Sequence, residues 1–175
     1  EAVAIVNPNR LDETSVCGQL AAVGVTFLFL VALNRGLRDA GYFSNEVREE
    51  PKLMEWLDLV ALGTVADVVP LTGVNRALVV QGMKVMSQRR NVGIKALSDV
   101  ANLDEAPTAY HLGFVFGPRV NAGGRVGEAH LGAQLLSTTD PIEAAHLAQL
   151  LDDYNQERRA IEERIQEEAL LQAES

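Results

Sequence analysis

Apolar positions recur at three-and-four spacing over most of this chain, and one short stretch departs from that rhythm. It is "AVAIV", residues 2–6, a continuously apolar, β-branched run of the kind that fills a buried parallel strand, followed by turn chemistry in "NPNRLDE". From Gln19 to about Asp39 the pattern is helical, and Gly41 is placed to stop it. Within that helix "AAVGVTFLFLVAL", Ala21 to Leu33, is shorter than the ~18 to 20 apolar residues of a membrane span and reads as a core helix. Pro51 is placed to open a second helix through "KLMEWLDLVAL", and "NRALVVQGMKVMSQ" predicts a third. Short helices are expected in "VGIKALSDVANL" and "TAYHLGFVF", then a Gly-rich loop, then a further helix in "EAHLGAQLL". From Pro141 onward Leu147, Leu151, Tyr154, Ile161 and Ile165 share one face with neither Gly nor Pro to interrupt them, which predicts a single helix of roughly 45 Å. The polar "SNEVREEP" is the nearest thing to a linker, and no internal repeat or low-complexity segment is present.

Composition narrows the class. A chain of 175 residues, 47% hydrophobic, has enough apolar material for one domain, or one domain with an extension. Its single cysteine, Cys17, excludes an internal disulfide framework and suits a reducing compartment, so a cytoplasmic protein without a membrane span is expected. The opening "EAVAIVNPNR", apolar almost at once and without an initiator Met or a signal-peptide pattern, is expected of a fragment cut from something longer. The net charge of −9 would argue against a nucleic-acid partner if it were evenly spread. Ten acidic and three basic residues lie from Asp140 onward, which leaves fourteen acidic against twelve basic before it. The acidity belongs to the tail.

Two places carry candidate chemistry. In "DLVALGTVADVVPL" a carboxylate, Asp67, sits in a run that otherwise reads as buried; an ionised carboxylate out of water costs several kcal/mol unless donors or a positive charge compensate it, so Asp67 either caps a turn or holds a cation. In the loop "GPRVNAGGRVG", Gly117 to Gly127, glycines let backbone approach a ligand, Arg119 and Arg125 can grip phosphate oxygens, and Asn121 offers an amide. The loop lacks the Lys-Ser/Thr pair of a P-loop and the glycine spacing of a dinucleotide site, so a tight turn with solvated arginines stands beside an anion site. His111, His130 and His146 are too scattered for a metal or triad motif.

Taken in order, "LDLVALGTVADVVPL", "NRALVVQG", "GIKAL" and "LGFVFGPRVNAGGR" resemble the RecJ family of single-strand-specific exonucleases, within the DHH phosphoesterase superfamily; "IVNPN" and "AVGVTF" match as well. The resemblance implies an α/β, Rossmann-like catalytic domain, here mostly helical with few parallel strands. Residues 1–139 would form the C-terminal part of that domain, and residues 140–175 a long connector helix toward a second, DHHA1-type domain. It implies two Mn2+ or Mg2+ ions and hydrolysis of single-stranded DNA from its 5′ end. Asp67 falls on the motif's metal-ligand position, where two ions about 3.5 to 4 Å apart would offset its charge. Arg119, Asn121 and Arg125 fall where the family meets the DNA backbone, and Gly123, where the family more often has Ala, should loosen the loop.

The Asp-His-His triplet of the superfamily is expected upstream of Glu1, so the chain by itself is expected to be inactive and prone to self-association. A helicase and a single-strand-binding protein are the expected protein partners. Two alternatives stay open: a sister phosphoesterase acting on short oligonucleotides, cyclic dinucleotides or pyrophosphate, and a non-catalytic helical interaction module. The residues encoded upstream of Glu1 discriminate these, since an Asp-His-His triplet there keeps the enzyme.

Overall fold

A computed structural model describes residues 3–44 and 48–173, which fall into two compact units, residues 1–88 and 89–175. The first unit holds α1 (Ala22–Asp39), a 3-10 turn (Leu53–Trp56), α2 (Leu57–Ala66) and α3 (Gly73–Met86). The second holds α4 (Val92–Val100), a π-helical segment (His111–Phe116) that runs directly into α5 (Gly117–Val126), then α6 (Leu131–Ser137) and α7 (Pro141–Ala173). Every described element is helical, which corrects the α/β expectation as far as this chain is concerned. The run "AVAIV" forms no strand among its described residues: a strand is held by a ladder to a neighbour, no described segment supplies one, and Val3, Ile5 and Val6 are exposed. Residue 2 of that run, and residues 45–47 of the polar linker, lie outside the described residues.

The first unit is organised around α2, which is apolar on all sides and therefore central. Leu57 and Val60 pack with Phe27 of α1, and Val23, Leu28, Leu53, Leu78 and Val85 close the cluster. The α2–α3 contact is so tight that a Cβ added to Gly82 would stand 2.1 Å from the Leu57 carbonyl oxygen; only glycine fits there. The side chain of Asn75, buried on α3, donates to the carbonyls of Gln19 at 2.7 Å and Pro70 at 3.0 Å, tying down the segment that follows α2.

In the second unit Leu112 and Phe116 of the π segment are fully buried with Ile94, Leu97, Leu135 and Leu151, each such side chain contributing about 1.5 to 3 kcal/mol of burial. Asn91 caps α4 by accepting from the Ile94 N–H at 2.9 Å. The boundary expected at residue 140 falls between α6 and α7, inside this unit. The first half of α7 supplies Ala144, Leu147, Ala148 and Leu151 to the unit's core, while Ile165, Leu170 and Leu171 further along it are exposed.

The Gly-rich segment Gly117–Gly127, expected as a loop, is helix α5 capped by Gly127. Pro118 sits in its first turn, where a missing N–H costs nothing, and tertiary packing overrides the weak helix propensity of glycine. Gly123 does not loosen the segment. It is buried, and an added Cβ would meet the Glu128 carbonyl oxygen at 2.7 Å, so the glycine admits a close backbone approach.

Candidate functional site

Three helices end in the same turn with three different residues. The chain leaves each through a left-handed residue one past the cap: Gly41 (φ 72°) after α1, Asn102 (φ 53°) after α4, and Val68 (φ 57°) after α2. Glycine and asparagine are the usual occupants of this position, whereas a β-branched residue is strained there by on the order of 1 to 3 kcal/mol. The strained turn follows Asp67 directly. Asp67 is the C-cap of α2; its N–H donates to the Gly63 carbonyl at 3.0 Å, and Val68, 88% exposed, donates to Val65 at 3.1 Å.

Asp67 itself is exposed, so the burial cost expected for it does not arise. Its carboxylate forms no hydrogen bond or ion pair among the described residues, and it stands at the negative end of a helix dipole, where a second negative charge is unfavourable. A cation bound there would relieve both charges. The buried carboxylate of this segment is Asp58, at 3% exposure in the first turn of α2, with Oδ1 accepting from the Leu59 N–H at 2.7 Å. Burial pushes its carboxyl above the ordinary range, and the Leu59 hydrogen bond pulls the other way. Nothing in the sequence marks Asp58 as buried, because a helical pattern places an acidic residue in the first turn as readily on the surface as in the core.

On α5 the three expected contact residues divide. Arg119 pairs with Asp152 of α7, Nε to Oδ1 2.8 Å, and donates through Nη1 to the Val115 carbonyl at 2.8 Å; the two side chains are only 17% and 12% exposed. Asn121 and Arg125 are exposed, and Arg125 forms no ion pair among the described residues. Asp67 belongs to the first unit and these three to the second.

The histidines hold no site. The His111 Nδ1 accepts from the Thr108 N–H at 3.1 Å, and His130 lies exposed 3.6 Å from Glu128. No group of three or more His, Cys, Asp or Glu side chains able to hold a metal ion occurs among the described residues. A cleft of about 520 Å3 in the first unit is lined by Asn7, Arg10, Asp12, Cys17 and Phe29, and Asp67 is not part of its wall. Arg10 and Asp12 neutralise each other there at 2.7 Å. Among the described residues no helix is long and apolar enough to cross a membrane.

No family model matches the chain. Individual relatives do. The chain is 47% identical over 171 residues to the single-stranded-DNA-specific exonuclease RecJ of Dickeya dadantii and 48% identical over 171 residues to that of Escherichia coli, in each case 97% of this chain and 30% of the relative. The Bacillus subtilis protein of the same name is 33% identical over 172 residues. Among solved structures, RecJ of Thermus thermophilus in complex with Mn2+ matches with a TM-score of 0.72 and 34% identity, over 95% of this chain and 23% of that one. An exonuclease RecJ bound to manganese matches with a TM-score of 0.73 and 33% identity, over 94% of this chain and 38% of that one. The chain thus spans about 30% of the length of the curated relatives it matches. Agreement in sequence over nearly the whole chain, and in the helical architecture that carries Asp67 and α5, shows that the chain belongs to the RecJ family.

Proposed function

We propose that this chain is part of a metal-dependent exonuclease that hydrolyses single-stranded DNA from the 5′ end in repair and recombination, in the cytoplasm. The observation that carries the proposal is the match of 97% of the chain to relatives named single-stranded-DNA-specific exonucleases. The described residues do not make a metal site: Asp67 is one carboxylate, and a hard divalent ion takes six or more oxygen or imidazole ligands. Asp67 is therefore one contributor to a centre completed by residues outside this chain, among them an Asp-His-His triplet on a Rossmann-like half-domain. Its exposure, its carboxylate unpaired among the described residues and the strained Val68 turn that fixes its backbone support that role. Residues 140–175 serve as the connector toward a DHHA1-type domain, and a helicase and a single-strand-binding protein are the proposed partners.

On the DNA side, Arg125 and Asn121 are free to meet the backbone of a strand, and Arg119 contributes by holding α5 against α7. In the full-length protein that carries this chain, Asp67→Asn is expected to lower the rate of single-strand hydrolysis under Mn2+ by about 100-fold or more while DNA binding persists in part. A single-turnover nuclease assay checks it. Turnover within the normal range would remove Asp67 from the metal centre.

A further inference from the structure

The helix that carries Asn121 and Arg125 begins earlier than α5, at Ala109, and its π-helical turn changes what it presents to solvent. A π turn takes about 4.4 residues, so side chains four apart share a face, and π turns recur at functional positions. Leu112 and Phe116 face inward and are fully buried. Tyr110 and Phe114 face outward, 64% and 72% exposed, and lie stacked on each other with ring centroids 5.1 Å apart and planes 28° apart. Two neighbouring aromatics left in water forfeit the burial that would normally hold them, and a stacked pair offers its outer ring faces to a further flat ring. The residues that follow on the same side at helical spacing are Pro118, half-buried, then Asn121 and Arg125, both exposed. The stripe from Tyr110 to Arg125 is about 22 Å long at 1.5 Å per residue, and runs from flat aromatic surface to an amide and a cation without an ion pair among the described residues.

We propose that Tyr110 and Phe114 form a base-stacking platform for single-stranded nucleic acid, continued along the same exposed helix face by Asn121 and Arg125, which take the phosphate backbone. The assignment rests on the single-strand exonuclease reading and names the contact that would make it selective. In a duplex the base faces are covered by their neighbours, so an aromatic platform accepts only a strand whose bases are free, and it does so without reading sequence. The charge order along the stripe fits such a strand, with neutral rings for bases and a guanidinium for phosphates.

The test measures equilibrium binding of the full-length protein that carries this chain to two nuclease-resistant phosphorothioate probes. One is an oligothymidylate; the other is an abasic strand with the same number of phosphates. Phe114→Ala and Tyr110→Ala are each expected to weaken oligothymidylate binding by about 5- to 150-fold, the range for loss of one stacked base, and to change abasic binding by less than about twofold. Phe114→Tyr is expected to retain binding, and Arg125→Ala to weaken both probes. If Phe114→Ala leaves oligothymidylate binding intact while Arg125→Ala weakens it, the platform is overturned and the exonuclease reading stands. If Phe114→Ala weakens both probes equally and lowers the melting temperature, with Phe114→Tyr restoring both, the rings pack against protein and the platform is likewise overturned. A wild-type protein that binds neither probe would overturn the exonuclease reading itself, and the platform with it.

Discussion

Asp58 and Asp67 open and close the same helix, and their environments set them opposite tasks. Asp67 is solvated, unpaired among the described residues and held at the unfavourable end of the α2 dipole by a strained turn, a poor place for a carboxylate unless a cation visits it. Asp58 is at the favourable end but buried, and burial raises its carboxyl above the ordinary value. A carboxyl raised in the folded state favours folding at acidic pH, below the unfolded value of about 3.9, and that contribution is lost as pH rises through the raised value. Asp58→Asn keeps the oxygen that accepts from Leu59 and removes the buried charge. The variant is therefore expected to melt at a higher temperature than the wild type at pH 7 to 8, with the gap closing as pH falls toward the ordinary carboxylate range. Thermal melts of the chain across that pH range check this. A variant less stable at every pH would assign the ionised carboxylate a stabilising role.

At the scale of elements, α5 is held to α7 by close backbone approaches and by one shielded ion pair. A Cβ at Gly127 would stand 2.3 Å from the Tyr154 ring, and Leu151 lies against Gly123, so the two helices meet through missing side chains with Arg119–Asp152 beside them. Removing one partner of a shielded pair leaves the other without its counter-charge. Arg119→Ala and Asp152→Ala are each expected to cost about 3 kcal/mol of stability, and the double variant clearly less than the sum. Urea denaturation of the four proteins of the cycle measures it. Arg125→Ala, by contrast, touches no ion pair among the described residues and is expected to leave stability within about 0.5 kcal/mol. In the full-length protein Arg125→Ala should lower the salt slope of single-strand binding by about one unit. Equal stability losses at the two arginines would contradict the division between them.

At the scale of the whole molecule, much apolar surface is left in water. Val3, Ile5, Val6, Leu11 and Val16 are exposed in the first unit, and Ile165, Leu170 and Leu171 are exposed along the outer half of α7. Surfaces of this kind recruit partners, so the 175-residue chain by itself is expected to self-associate at micromolar concentrations, to bind Mn2+ only weakly through Asp67, and to lack nuclease activity. Light scattering and titration calorimetry on the purified chain test the first two. Tight stoichiometric Mn2+ binding, or nuclease activity lost specifically on Asp67→Asn, would show that the chain holds a complete site.

Helix periodicity alone determined α1, α3, α4 and the long α7 to within about three residues of their ends, because an amphipathic or wholly apolar run has few other ways to bury its side chains; the helix expected to open at Pro51 instead begins as a 3-10 turn, Leu53–Trp56, and α2 runs from Leu57 to Ala66, past the expected end. The motifs around Asp67 and in Gly117–Gly127 likewise carried the family without any coordinates. The fate of the individual side chains was decided only by tertiary contact. Whether a glycine run is a loop or a helix depends on what packs against it, here the Glu128 carbonyl and the Tyr154 ring. Which of two arginines is free depends on Asp152, far downstream of Arg119 in sequence and brought beside it by helix packing. Which of two aspartates is buried depends on the neighbours of α2, and the outward stack of Tyr110 and Phe114 depends on a π turn that no local pattern announces. The strand expected at "AVAIV" is the converse case. Its sequence has the composition of a strand, but a strand exists only when another chain segment pairs with it.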